Sequence, residues 1–170
     1  MLVRVTVDTP LGPFTVVRGD AGVVRTRFDD DDPAPGGEPD LEPDATDDRR
    51  RAAAIRREVE AYFRGSLRAF ETPADLSAIG DGFPRRVLET VRTIPYGELW
   101  TYGDVAAAAG ASRAGRAAGS ALARCPIELF VPCHRVVRAG PSLGSYGRHP
   151  ERRRFLLRLE GALPHRSATP

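Results

Sequence analysis

Between Asp29 and Asp48 the chain carries ten acids, four prolines and two glycines, and not one base. Such a run repels itself, interrupts helix and strand alike, and has too little apolar surface to fix a conformation. It reads as a solvated loop, and regular structure has to fall on either side of it. Before it, Leu2–Val7 alternates apolar and polar residues as a half-buried strand does. Phe14–Arg18 and Val23–Phe28 predict two more strands, with turns at Pro10-Leu11-Gly12-Pro13 and Gly19-Asp20-Ala21-Gly22. After it, Ala53, Ile55, Val59, Tyr62 and Phe63 recur at near-helical spacing and predict an amphipathic helix over Arg49–Phe63, ended by Gly65. Ala69–Asp81, with Pro73 and Gly80, reads as a linker holding a short strand or turn. No nucleophile with its base and no phosphate-binding glycine loop stands out in this half.

From Gly82 the character changes. Residues 1–81 hold 11 arginines against 17 acids, net −6, whereas residues 82–170 hold 14 arginines against 6 acids, net +8. A basic half suggests a polyanionic partner, although arginines also simply solvate surfaces. Phe83–Thr93 sets Phe83, Val87, Leu88 and Val91 on one helical face, with Pro84 in the first turn. Thr101 is placed to cap a helix over Tyr102–Ala109, stopped by Gly110, and Ser112 to cap the next, from Arg113 to about Arg124. Helix, short turn and helix make a helix-turn-helix pattern. The second helix is rich in small residues, which let it lie close to a neighbouring helix or to DNA. Pro126 ends it, Leu129-Phe130-Val131 reads as a short strand, and Arg138–Gly147 reads as a loop. Pro150 opens a last helix through Leu159, with Phe155, Leu156 and Leu159 on its inner face, Glu160 at its end and Gly161 beyond.

The chemistry-bearing stretch is Val131-Pro132-Cys133-His134-Arg135-Val136-Val137. A thiol attacks as the thiolate, and basic or cationic neighbours make that form accessible. Taken alone, the Cys-His pair fits equally a buried cysteine packed as a small hydrophobe. Cys125 and Cys133 are the only cysteines, so a disulfide framework is excluded, and they form no metal-ligand spacing with the three histidines. No apolar run is long enough to span a bilayer, and Met1-Leu2-Val3-Arg4-Val5 lacks a signal-peptide pattern, so the expectation is a soluble cytoplasmic protein.

Six segments occur in order: Ile94-Pro95-Tyr96-Gly97, Thr101-Tyr102-Gly103-Asp104-Val105-Ala106, Arg116-Ala117-Ala118-Gly119, Pro132-Cys133-His134-Arg135-Val136, Gly144-Ser145-Tyr146-Gly147 and Leu156-Leu157-Arg158-Leu159-Glu160-Gly161. Together they resemble the O(6)-alkylguanine-DNA alkyltransferases across residues 83–161, with a weaker likeness at Thr9-Pro10-Leu11-Gly12-Pro13. The resemblance implies an α/β protein of two domains: a small N-terminal α/β domain of ribonuclease-H-like topology, residues 1–81 with the acidic loop 29–48, and a C-terminal helical domain with a winged helix-turn-helix, residues 82–170. It implies cofactor-free transfer of an alkyl group from guanine oxygen-6 to Cys133, once per molecule. By position, His134 draws off the thiol proton through a water, Glu160 orients His134, and Tyr102 protonates the departing guanine and helps turn the nucleotide out. Arg116 fills the gap in the duplex, Tyr146 stacks on the flipped base, and the main chain of Cys133, Val136 and Gly147 meets the base edge. Leu122 and Ser145 complete the implied pocket. Ser112, Arg113, Ala117 and Arg135 join Arg116 in the implied DNA-contacting set. The expected partner is double-stranded DNA carrying alkylated guanine, met by a monomer, with no metal and no membrane.

General chemistry supports this scheme. Oxygen-6 of a paired guanine lies inside the stack, and turning the base out costs on the order of a few kcal/mol. Guanine leaves poorly as an anion, so a nearby proton donor lowers the barrier. Two departures stand out. Cys125 precedes Pro126 where the family usually has an asparagine whose amide ties the reactive turn to the helix, and a thiol does not replace that geometry. Gly147 stands where some relatives carry a serine. Two other readings share the fold pattern: a lesion-binding alkyltransferase-like protein without chemistry, and a winged-helix transcription regulator.

Overall fold

The computed structural model describes residues 1–31, 46–140, 143–144 and 149–163. The fold is mixed α/β, and the chain divides into two compact units: Met1–Ala78 with Pro126–Phe130, and Ile79–Cys125 with Val131–Pro170. Pro126–Phe130, which the sequence reading left with the second half, groups with the first unit. Among the described residues no helix is long and apolar enough to cross a membrane.

The first unit is built on an antiparallel meander, β1 (Val3–Thr9), β2 (Gly12–Arg18) and β3 (Val23–Phe28), in that spatial order. Alternation does the work that the sequence suggested. Val3, Val5 and Val7 face the same side as Phe14, Val16 and Phe28, all buried, and the rings of Phe14 and Phe28 meet at 4.6 Å. Helix α1 (Thr46–Phe63) covers β1 through Ile55, Val59 and Tyr62. It starts inside the stretch read as an acidic loop, and Asp48 is buried, whereas Ala53, expected inside, is exposed. The remainder of that loop, residues 32–45, lies outside the described residues. The linker contributes a single parallel bridge, Ala74 to Val23. Thr26 fastens Pro126–Phe130 to this sheet, its N–H donating to Pro126 O (2.8 Å) and its hydroxyl to Glu128 O (3.1 Å). The strand expected at Leu129-Phe130-Val131 is instead a turn, because Leu129 adopts the left-handed region (φ 69°). Phe130 stacks on Phe70 at 4.3 Å.

The second unit is helical. Helix α2 (Phe83–Val91) buries Val87, Leu88 and Val91, while Phe83 is half-buried beneath the Arg86 guanidinium, 5.8 Å from its centroid. Strand β4 (Trp100–Thr101) leads directly into helix α3 (Tyr102–Ala108). Thr101 closes a reciprocal cap: its hydroxyl accepts from Asp104 N (3.1 Å), and the Asp104 carboxylate accepts from Thr101 N (2.8 Å). Helix α4 (Gly115–Ala123) packs on α2 and α3 and completes the helix-turn-helix. Ser112 does not cap it. The turn closes through Ala114 N to Ala111 O (2.9 Å), which moves the helix start to Gly115 with Ala114 as its N-cap. Strand β5 (Val136–Val137) pairs parallel with β4, Trp100 against Val136 and Thr101 against Val137. Helix α5 (Pro150–Leu159) turns Arg152, Arg153, Leu156 and Leu157 inward, with Phe155 and Leu159 only half-buried, so its buried stripe is rotated from the one expected.

The Thr101 cap sets both the start of α3 and the end of β4. Thr101→Ala should cost about 1 kcal/mol in urea denaturation. Combining it with Asp104→Ala should cost less than the sum of the single losses, since both act on one reciprocal pair; strict additivity would show the box contributes nothing as a unit.

Candidate active site

Cys133 sits at the start of one 3-10 turn, Cys133–Arg135. Its N–H donates to Val131 O (2.8 Å), Arg135 N–H to Pro132 O (3.0 Å), and the Val136 N–H returns to Cys133 O. Every residue from Val131 to Val137 is buried, and Cys133 is 4% exposed. The turn runs straight into β5, so the β4–β5 ladder holds it beside the chain that enters α3, whose first residue is Tyr102. Two short pieces of strand thereby pair residues 36 apart in sequence.

One carboxylate organises the inner side. Glu160, at the C-terminal end of α5, accepts four hydrogen bonds: His134 Nε2 (2.7 Å), Arg135 Nε (2.9 Å) and Nη2 (2.9 Å), and Gly97 N (3.2 Å). Arg135 spends its third donor, Nη1, on Ile94 O (2.6 Å), and its guanidinium lies 5.7 Å from the Tyr96 ring centroid. Tyr96 in turn donates to Leu159 O (3.2 Å). This explains the Ile94-Pro95-Tyr96-Gly97 segment. Gly97 has φ 83°, and a Cβ there would lie 3.1 Å from Glu160 O. A side chain would thus strain the backbone and crowd the carboxylate's own residue.

Burial alone would raise the Glu160 pKa, but hydrogen bonds from His134 and Arg135 outweigh it and hold the carboxyl well below the usual range. His134, wholly buried, is pushed the other way from charge: burial lowers its pKa, and the nearby Arg135 and Arg153 add to that, against the raising effect of Glu160. The imidazole is therefore neutral and the carboxylate ionised at neutral pH. An ionised carboxylate only accepts, so the network assigns the ring proton to Nε2 and leaves Nδ1 as the basic nitrogen.

Tyr102 is half-buried. Its Oη accepts from Arg153 Nη2 (3.3 Å), and its ring lies 3.7 Å from where a Cβ on Gly119 would stand. That is ordinary contact distance, so the small residues of α4 permit close packing without demanding glycine. On the outer side, Ser112, Arg113, Arg116 and Ala117 are all exposed along the turn and first turn of α4, and Leu122 is half-buried further along it. Arg135 does not belong with them. Its side chain is buried and donates inward to Glu160 and Ile94 O, so the expectation that it contacts DNA gives way to bracing of the turn. Val136 is buried within β5. Ser145, Tyr146 and Gly147 lie outside the described residues. Cys125 is half-buried just past α4, its N–H bonded to Leu122 O (3.1 Å).

Sequence reasoning misses Arg153 and Arg152, both buried on α5, because the pattern of a basic half assigns arginine to the surface. A signal existed: Arg153 stands two helical turns before Glu160, a spacing that puts both on one face.

Comparison with known proteins adds the following. Residues 82–162 match the family described as 6-O-methylguanine DNA methyltransferase, DNA binding domain, and residues 2–76 its ribonuclease-like domain. A methylated-DNA–protein-cysteine methyltransferase of Mycolicibacterium paratuberculosis is 38% identical over 157 residues, 91% of this chain and 90% of the relative. A constitutive methylated-DNA–protein-cysteine methyltransferase of Bacillus subtilis is 33% identical over 156 residues, 91% of this chain and 93% of the relative. The crystal structure of Mycobacterium tuberculosis OGT in complex with DNA superposes with a TM-score of 0.79 at 34% identity, covering 94% of this chain and 93% of that one.

The buried network makes stability acid-sensitive with a definite sign. His134 has a folded pKa below its ordinary 6.5, and Glu160 one below its ordinary 4.5, so in each case the unfolded chain binds more protons as pH falls. The unfolding free energy should hold level above about pH 6.5, decline below it, and fall more steeply below about pH 4.5. Glu160→Ala, which strands the Arg135 guanidinium, should cost about 3–5 kcal/mol at pH 7. Urea denaturation at pH 8, 7, 5.5 and 4 checks both; a loss under about 1 kcal/mol for Glu160→Ala would mean the pair is solvated in solution.

Proposed function

The chain belongs to the 6-O-methylguanine DNA methyltransferase family and acts in DNA repair by alkyl transfer, and from that premise we propose that Cys133 is the residue that receives the alkyl group, from oxygen-6 of guanine in duplex DNA. The observation that carries this reading is the buried series Cys133, His134 and Glu160, with a neutral base and an ionised orienting carboxylate.

The thiol proton passes by way of a water to His134 Nδ1. Glu160 fixes the ring through Nε2 and stabilises the imidazolium that forms, the arrangement of nucleophile, base and orienter. The Cys133 sulfur then displaces guanine from the alkyl carbon. The carbon–oxygen bond breaks, its electrons pass into the base, and Tyr102 supplies the proton that lets guanine leave neutral. A thioether remains on Cys133. It has no low-barrier route back, so each molecule acts once; every group the scheme uses is a side chain of one chain, so a monomer suffices. Exposed Arg113 and Arg116 and neighbouring Ser112 and Ala117 meet the duplex, with Arg116 filling the space of the extruded nucleotide. Leu122, Val136 and the residues Ser145, Tyr146 and Gly147 receive the base.

Incubation with duplex DNA containing O6-methylguanine should add one methyl to Cys133 and then stop. Cys133→Ser should abolish transfer while retaining DNA binding. Turnover, or a methyl on another residue, overturns the assignment. Because the His134 pKa is lowered, the neutral base persists below pH 6.5, and the single-turnover rate should stay on its plateau at that pH and drop only further into acid. Arg116→Ala should slow repair of duplex more than transfer from the free base; equal losses would remove Arg116 from the gap.

A further inference from the structure

Arg153 takes no part in the scheme above, yet it is one of the least exposed charged residues of the second unit, at 2%. Its guanidinium reaches two places at once. Nη1 donates to Leu143 O (2.5 Å), and Nη2 donates to Tyr102 Oη (3.3 Å). Its charge is also felt at His134. A buried guanidinium carries a desolvation cost that surface arginines avoid. Two of its donors are committed to the Leu143 carbonyl and to the Tyr102 phenol.

We infer that Arg153 is a positioning residue that holds Tyr102 for proton transfer and stabilises the phenolate left behind. The inference rests on the reading that Tyr102 protonates the departing guanine. In the resting site, Arg153 donates to the phenol oxygen, so that oxygen's own hydrogen is directed elsewhere and is available to the base. When guanine leaves with the carbon–oxygen electron pair and takes the phenol proton, negative charge appears on Oη next to a permanent cation. A guanidinium does not deprotonate in proteins, so Arg153 acts as a fixed donor and not as a proton relay. The proton balance closes through His134, which gives the former thiol proton to solvent, and Tyr102, which recovers one. The interaction is stronger in the transition state than before it, which is the condition for raising the rate of the chemical step. The same guanidinium also holds the Leu143 carbonyl, so Arg153 is itself fixed on a second side.

The test compares two alkyl donors. Transfer from O6-methylguanine in duplex DNA needs the leaving base protonated; alkylation of Cys133 by iodoacetamide releases iodide and does not. Arg153→Met should lower the single-turnover rate on methylated DNA about 100- to 1,000-fold, the scale of removing one donor aimed at developing charge. It should leave the iodoacetamide rate within about twofold of the parent. In a Tyr102→Phe background the same substitution should change transfer by less than about twofold, because the group it acts through is gone. Arg153→Lys, which keeps the charge but not the two-pronged reach, should recover part of the loss. Parallel losses with both donors, or a full further loss on top of Tyr102→Phe, would overturn the inference and leave Arg153 as packing for the turn. A Tyr102→Phe variant that transfers at the parent rate would instead overturn the underlying role of Tyr102, a distinct pattern of results.

Discussion

The Glu160 carboxylate is the point on which the second unit converges. Four hydrogen bonds from two segments end on it, those of His134 and Arg135 from the reactive turn and that of Gly97 from the turn after α2, while α5 supplies the carboxylate itself. Burying a lone carboxylate costs several kcal/mol, and a bidentate arginine with further hydrogen bonds is what makes the burial tolerable. The arrangement also does chemical work. Arg135 supplies the carboxylate's countercharge, so His134 does not have to. Burial is the main reason that the imidazole stays neutral although it touches an ionised acid, and the nearby Arg135 and Arg153 charges add to it.

Position comes from a different device. The β4–β5 ladder has two residue pairs, too short to be stable alone. It persists because both strands are extensions of more robust elements: β4 is locked by the cap that starts α3, and β5 by the turn pinned to Glu160. Tyr102 and Cys133 therefore inherit their relative placement from helix capping on one side and a buried ion pair on the other. Arg153 adds a third restraint from α5, so the phenol is referred to the same helix that carries the orienting carboxylate.

Much of this was legible in sequence, for identifiable reasons. Strand β1 announces itself by alternation, β2 and β3 by apolar stretches flanking the turn at Gly19–Gly22, and the Thr101 cap by its cap chemistry just ahead of Tyr102. The ordered motifs placed Cys133, His134 and Glu160 together before any geometry was known. The misreadings share one cause: local pattern was trusted where tertiary contacts decide. Ser112 has cap chemistry, but the turn closes at Ala114. Leu129 and Phe130 have strand composition, but a left-handed Leu129 bends the chain so that Phe130 meets Phe70. Arg135, Arg152 and Arg153 look like surface charge in a basic half, and each is buried, because a guanidinium can enter an interior when its donors find acceptors. Hydropathy assigns arginine to the outside and has no means of seeing the partner 25 or 51 residues away.

Cys125 bears on what holds the reactive turn. In the family that the chain resembles, an asparagine at this place braces the turn from the α4 side, a job a thiol does poorly because it is a weak donor and a weak acceptor. Here the turn keeps its own backbone bonds and is braced from the opposite side, through Arg135 to Ile94 O and Glu160. The fork of a guanidinium binds two acceptors in fixed relative directions, so it restrains orientation as well as distance. Neutral bracing at the entrance to the turn and charged bracing at its exit are not equivalent. The second depends on Glu160 remaining ionised, which couples the placement of Cys133 to the same carboxylate that holds the His134 ring. Acid would then act twice on one site, protonating the imidazole and loosening the turn that carries Cys133, whereas an amide brace would have been indifferent to pH.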